Sequence, residues 1–139
     1  MNDIIVGVDQ STTAHTAAET AASIAAAFDA NLHVVMCVKR SSSQEVAVGG
    51  DSWRLDSLSK AEQFLHDLRI ALPHDRITTT VSFGDPATTM CEEAQRLAAR
   101  MIVVGNRRVQ GASRILGSIA ADVTKQAPCD VLIANTTAS

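Results

Sequence analysis

The chain has 139 residues, 46% of them hydrophobic and 19% charged, with a net charge of −3. That is enough chain for one domain with a real core, and the composition excludes a disordered segment. The negative balance argues against a nucleic-acid surface, which needs clustered lysine and arginine.

The first element is the β-branched run Ile4-Ile5-Val6-Gly7-Val8. A run apolar on both faces suits the centre of a parallel sheet covered by helices. It ends in the turn and capping cluster Asp9-Gln10-Ser11-Thr12-Thr13. Ala14 to Phe28 follows as a helix, with Ala17, Ala21, Ile24, Ala25 and Phe28 at helical spacing. Leu32 to Val38 is the second strand, and Lys39 to Ser52 reads as an exposed loop or mobile lid, given Ser41-Ser42-Ser43 and Gly49-Gly50. A second helix runs from Trp53 to Leu72 on a stripe of leucines and is stopped by Pro73. Arg76 to Phe83, with Thr78, Thr79 and Thr80, reads as a half-exposed edge strand. Gly84-Asp85-Pro86 starts the third helix, with Asp85 as cap and Pro86 in the first turn, and Ala99 ends it. Met101 to Val104 is the fourth strand, Ser118 to Gln126 the last helix, and Cys129 to Ala134 the fifth strand.

The alternation β-α-β-α-β-α-β-α-β implies an α/β fold, a single doubly wound parallel sheet of Rossmann-like type with right-handed crossovers. Ligands in such sheets bind beyond the carboxyl ends of the strands, so the loops after strands one, two and four are the candidates. With 3% aromatics and no tyrosine, the core must be built from Ala, Val, Leu and Ile, and few rings are available to stack on a base. Cys37, Cys91 and Cys129 form no C-x-x-C pair. Cys37 and Cys129 stand in apolar runs and are expected to be buried thiols. No run approaches the roughly 20 apolar residues of a membrane span. The N-terminus carries no signal-like segment, so a soluble, cytoplasmic protein of one domain over residues 1–139 is expected.

The segment from Val103 to Ser118 holds the clearest binding chemistry. Gly105, Gly111 and Gly117 allow close approach of an anion, and a helix N-terminus at Ser118 offers free N–H groups and a positive dipole end. Arg107, Arg108 or Arg114 could add charge-assisted bonds. The alternative is plainer: turn glycines, Ser118 as an N-cap, and solvated arginines. Asp9, at the end of the first strand, is placed to accept bonds from a ribose or base, to join a metal shell through water, or to cap the first helix with Ser11. His15, His33, His66 and His74 are dispersed, and neither G-x-x-x-x-G-K-[ST] nor G-x-S-x-G occurs. No general acid, base and nucleophile are assembled, so enzymatic activity is expected to be weak at most.

Taken together, Ile5-Val6-Gly7-Val8-Asp9-Gln10-Ser11, Gly84-Asp85-Pro86, Ile102-Val103-Val104-Gly105-Asn106, Leu116-Gly117-Ser118 and Ala127-Pro128-Cys129-Asp130-Val131-Leu132-Ile133 resemble the universal stress protein family over nearly the full chain. The resemblance implies strand order 3-2-1-4-5, a homodimer joined through the C-terminal strand, a stress-response role and, in one branch, ATP binding. ATP, with Mg or Mn as its cation, is then the expected ligand, and cAMP or AMP the alternatives. Matching positions put Gly7, Val8, Asp9 and Val38 near base and ribose, and Gly105, Asn106, Gly117 and Ser118 near the phosphates. The ATP-binding branch has glycine, two residues, glycine, nine residues, then glycine and a hydroxyl residue. Here Arg108 stands at the second glycine, with only eight residues between it and Gly117. Two readings stay open: Gly111 takes over that turn while Arg107 and Arg108 supply the lost contact, or the chain is a dimeric interaction module that binds no nucleotide.

Overall fold

The computed structural model describes residues 2–9, 12–38, 50–106 and 116–136. Among the described residues five strands and four helices alternate: β1 (Asp3–Val8), α1 (Thr12–Phe28), β2 (Asn31–Val38), α2 (Gly50–Ala71), β3 (Ile77–Phe83), α3 (Pro86–Leu97), β4 (Met101–Asn106), α4 (Ser118–Gln126) and β5 (Asp130–Asn135). All strand pairs are parallel, in the order β3-β2-β1-β4-β5. The chain winds outward from β1 to β3, then crosses back to β4 on the other side of β1. That reversal leaves the ends of β1 and β4 flanking the switch point.

The period of two along β1 divides the core in half. Ile4, Val6 and Val8 face α1 and α2, where they meet a row of buried alanines and the stripe Ala61, Leu65, Leu68 and Leu72. Ile5 faces the opposite layer with Val35, Ile102 and Val104, against Ala87, Met90 and Ala94 of α3 and Ala120 and Val123 of α4. Each fully buried Val, Leu or Ile contributes roughly 1.5–3 kcal/mol, so the two layers supply most of the driving force. Ala17, Ala18, Ala21, Ala22 and Ala25 are at most 1% exposed, which lets α1 lie close on the sheet.

Local signals set the boundaries. The Asp85 carboxylate accepts from the Thr88 N–H at 2.9 Å, and Pro86 occupies the first turn of α3, as the sequence predicts. That helix stops at Leu97, two residues before the expected end. Ala98 turns left-handed at φ 50° and ψ 50°, and the Ala99 N–H bonds back to the Ala94 carbonyl at 2.8 Å. Conversely, β4 runs two residues beyond the expected Val104, because Gly105 and Asn106 pair with Ala134 and Asn135 of β5. Helix α2 starts at Gly50, three residues before the predicted Trp53. The rest of the expected 39–52 loop lies outside the described residues. Cys37 and Cys129 are half-buried, not buried; Cys91 is the buried thiol. Both expectations came from apolar neighbours, which do not reveal that a residue sits at the rim of a layer.

The amino-end pole is tied by polar contacts. The Asn2 amide donates to the Phe28 and Asp29 carbonyls at the end of α1. The Arg100 guanidinium lies 4.1 Å over the Phe28 ring and donates to Asn2 Oδ1 at 3.1 Å. His33 bridges Asp3 and Thr78, with Nε2 2.8 Å from Asp3 Oδ1 and Nδ1 2.6 Å from Thr78 Oγ1.

Candidate functional site

A cleft of about 570 Å³ opens over the carboxyl ends of β1, β2 and β4. Gly7, Val8 and Asp9 form its floor at the end of β1, Val38 closes the β2 side, and Gly105 stands opposite at the end of β4. Five of the sequence-predicted positions therefore meet in one hollow, from segments almost a hundred residues apart in the chain. The fold brings them together because β1 and β4 are neighbours, with Val6 paired to Val103.

Two glycines shape the floor through close approach. A Cβ on Gly7 would run into the Met90 sulfur and come within 2.9 Å of its Cε, so Gly7 lets α3 press Met90 onto the sheet. A Cβ on Gly105 would meet Thr136 Cγ2 at 2.8 Å and Ala17 Cβ at 3.4 Å. That absent side chain leaves the β4 rim open between α1 and the end of β5.

Asn106 and Gly117 are joined differently from the expectation. The Gly117 N–H donates to Asn106 Oδ1 at 2.6 Å. Gly117, extended at φ −63° and ψ 159°, is the N-cap of α4, and Ser118 is the first helical residue. Ser118 as a side-chain cap is thus corrected: the cap carries no side-chain hydrogen bond, and a distant asparagine serves the helix end instead. Asn106, Gly117 and Ser118 are outside the cleft lining, although Ile119 belongs to it. Arg107, Arg108 and Gly111 lie outside the described residues, as does Arg114.

The lining is mostly apolar, with Asp9, Cys37, Ser57 and Thr136 as its polar members. Among the described residues it contains no lysine, arginine or histidine. Burial pushes the Cys37 thiol up; a hydrogen bond with Thr89 partly opposes this, and the Asp85 carboxylate adds to the rise. Both burial and Asp85 thus favour the neutral thiol form of Cys37. Among the described residues no three His, Cys, Asp or Glu side chains gather as a metal site. No helix of the described residues is long and apolar enough to cross a membrane.

Sequence reasoning missed Ser57, Met90, Ile119 and Thr136. Three stand on helices whose register against the sheet no local motif encodes. Thr136 follows the fifth strand, and only the β4–β5 pairing brings it to Gly105.

Comparison with known proteins agrees with this architecture. The family model described as the universal stress protein family matches residues 1–135. Universal stress protein MJ0531 of Methanocaldococcus jannaschii is 30% identical over 141 aligned positions, covering 94% of this chain and 79% of that protein. The universal stress protein UspA from Lactobacillus plantarum superposes with a TM-score of 0.72 at 23% identity, over 96% of this chain and 97% of that one. A universal stress protein crystallised in complex with cAMP superposes with a TM-score of 0.67 at 28% identity, covering 97% of each chain. With the same strand order, a cleft at the switch point and a match over nearly all its length, this chain belongs to the universal stress protein family.

Proposed function

We propose that this chain is a stress-response regulator that binds an adenine nucleotide in the cleft over the β1 and β4 ends. The observation that carries the reading is the convergence of Gly7, Val8, Asp9, Val38 and Gly105 on one hollow at the switch point. The relative crystallised with cAMP, at 28% identity, supports the ligand class. In this reading the exposed Asp9 accepts from ribose or base, and the apolar walls beside Val38 hold the ring. The phosphates lie toward Gly105 and the start of α4, where Ser118 and its neighbours present first-turn N–H groups. From the sequence alone, Arg107, Arg108 and Gly111, outside the described residues, are proposed as further phosphate contacts. ATP, carrying Mg or Mn, is the leading ligand; cAMP and AMP are the alternatives.

Calorimetric titration with ATP and with cAMP tests the reading. Binding at a hundred times Kd adds about 2.7 kcal/mol of stability, so the melting temperature should rise with ligand. Absence of both heat and a thermal shift at millimolar concentrations of either nucleotide rules it out.

A homodimer through β5 belongs to the same proposal. β5 is an edge strand, and Ile133 on it is 37% exposed, with Val131 and Leu132 half-buried. Pairing with a second copy would satisfy the open backbone groups and cover these side chains. Light scattering that gives a monomer at all concentrations contradicts it.

One observation favours a second reading, an interaction module without nucleotide. Asn106 Oδ1 already takes the Gly117 N–H, a donor that a phosphate would use. This reading predicts that Gly117→Val leaves cellular function intact; loss of function with the fold preserved counts against it.

A further inference from the structure

Thr136 is the one polar residue buried among the described residues, at 5% exposure. It follows β5 directly and is fixed there by its backbone, whose N–H donates to the Asn106 carbonyl at 3.3 Å. The side chain lines the cleft, with its methyl turned to the space a Gly105 side chain would fill. Its hydroxyl makes no hydrogen bond to a described residue. No fully enclosed side-chain oxygen or nitrogen among the described residues lacks a partner, so this hydroxyl must have an open side. The cleft is the space onto which Thr136 opens. A hydroxyl that opens onto the cleft and has no partner among the described residues is available to bond a ligand atom seated there.

We propose that the Thr136 hydroxyl is a specificity-determining donor to the phosphate of the bound nucleotide. The assignment rests on the nucleotide reading above. Position chooses phosphate over base: Thr136 is held to Asn106, whose side chain in turn holds Gly117 at the start of α4. Asp9 and Val38 mark the floor and the β2 wall of the hollow, whereas Thr136 stands at the β4–β5 rim. A hydroxyl can donate to a phosphate oxygen with charge assistance, and a methyl in its place cannot.

The experiment compares AMP and adenosine by calorimetric titration against the full chain and the variants Thr136→Val and Thr136→Ser. Thr136→Val keeps the shape and the methyl over Gly105 while removing the donor. It should weaken AMP binding roughly tenfold, as expected for one hydrogen bond to a charged group, and leave adenosine within about twofold of the parent chain. Thr136→Ser retains the donor and should bind AMP close to the parent affinity, which a purely structural role of the methyl would not produce. Thr136→Val within about twofold of the parent for AMP, or an equal loss for AMP and adenosine, overturns the phosphate assignment while leaving the nucleotide reading in place. A parent chain that binds neither compound overturns the phosphate assignment, and one that also fails to bind ATP and cAMP overturns the nucleotide reading with it. Circular dichroism and melting curves on each variant establish that the compared proteins are folded.

Discussion

Replacing Gly105 by alanine tests whether the β4 rim of the cleft is held open by a missing side chain. The new Cβ would stand 2.8 Å from Thr136 Cγ2 and 3.4 Å from Ala17 Cβ. Carbon atoms in contact prefer about 3.5–4.0 Å, so the approach to Thr136 is short by roughly 1 Å. Thr136 is buried and β-branched, and its backbone is tied to Asn106, so it cannot swing aside as a long side chain could. Overpacking of this kind costs about 1–3 kcal/mol. Against that, alanine in a strand gains about 0.5–1 kcal/mol over glycine. The net is a loss of about 1–2 kcal/mol, or roughly 3–7 °C in Tm for a domain of this size. Thr136→Ser removes the clashing methyl. Alone it should cost about 1 kcal/mol of buried methyl, but combined with Gly105→Ala it should recover most of the loss. Urea unfolding of the four proteins measures the coupling. Gly105→Ala as stable as the parent, or losses that simply add in the double variant, would refute the reasoning.

Asp85→Ala removes the cap of α3 and should cost about 1 kcal/mol in urea unfolding, with Asp85→Asn near the parent. Ala98→Gly relieves the left-handed conformation at the end of α3 and should raise stability by about 0.5–1 kcal/mol, whereas Ala98→Val should lower it. Acid should weaken the amino-end pole through Asp3. Burial pushes its carboxyl up, but bonds from His33 and Asn31 and the charge of the imidazole outweigh this and hold it below the ordinary value of 3.8. Stability from Asp3 is therefore complete above the unfolded value and is lost as pH falls through the lower folded one. Asp3→Asn should be about 1 kcal/mol less stable than the parent at pH 7, and the gap should close in acid as pH falls through the lowered folded value. A gap that stays constant with pH removes Asp3 from that account.

Much of the fold could be read from local signals. The β-branched runs at Ile4–Val8 and Met101–Val104 and the Asp85-Pro86 helix start needed no tertiary information. Their alternation with helices gave the parallel class, and the resemblance supplied the strand order that the structure carries. The errors arose where a neighbour decides. Gly105 and Asn106 look like a turn, yet β5 pairs with them and extends the strand. Ser118 looks like a cap, yet Asn106, eleven residues earlier, serves the helix end and moves the cap to Gly117. In the cleft, Asp9 and Gly105 were legible because strand ends carry recognisable turn chemistry. Met90 and Thr136 were not: a buried methionine on a helix and a threonine after a strand have ordinary local surroundings, and their importance comes from glycines far away in the chain.

The most direct test is the crystal structure of the protein grown with millimolar ATP or cAMP. The account predicts nucleotide density in the cleft, with its sugar or base beside Asp9 and Val38 and its phosphate at Gly105 and Thr136. A nucleotide bound on some other surface, while the hollow between β1 and β4 holds only water, would contradict it.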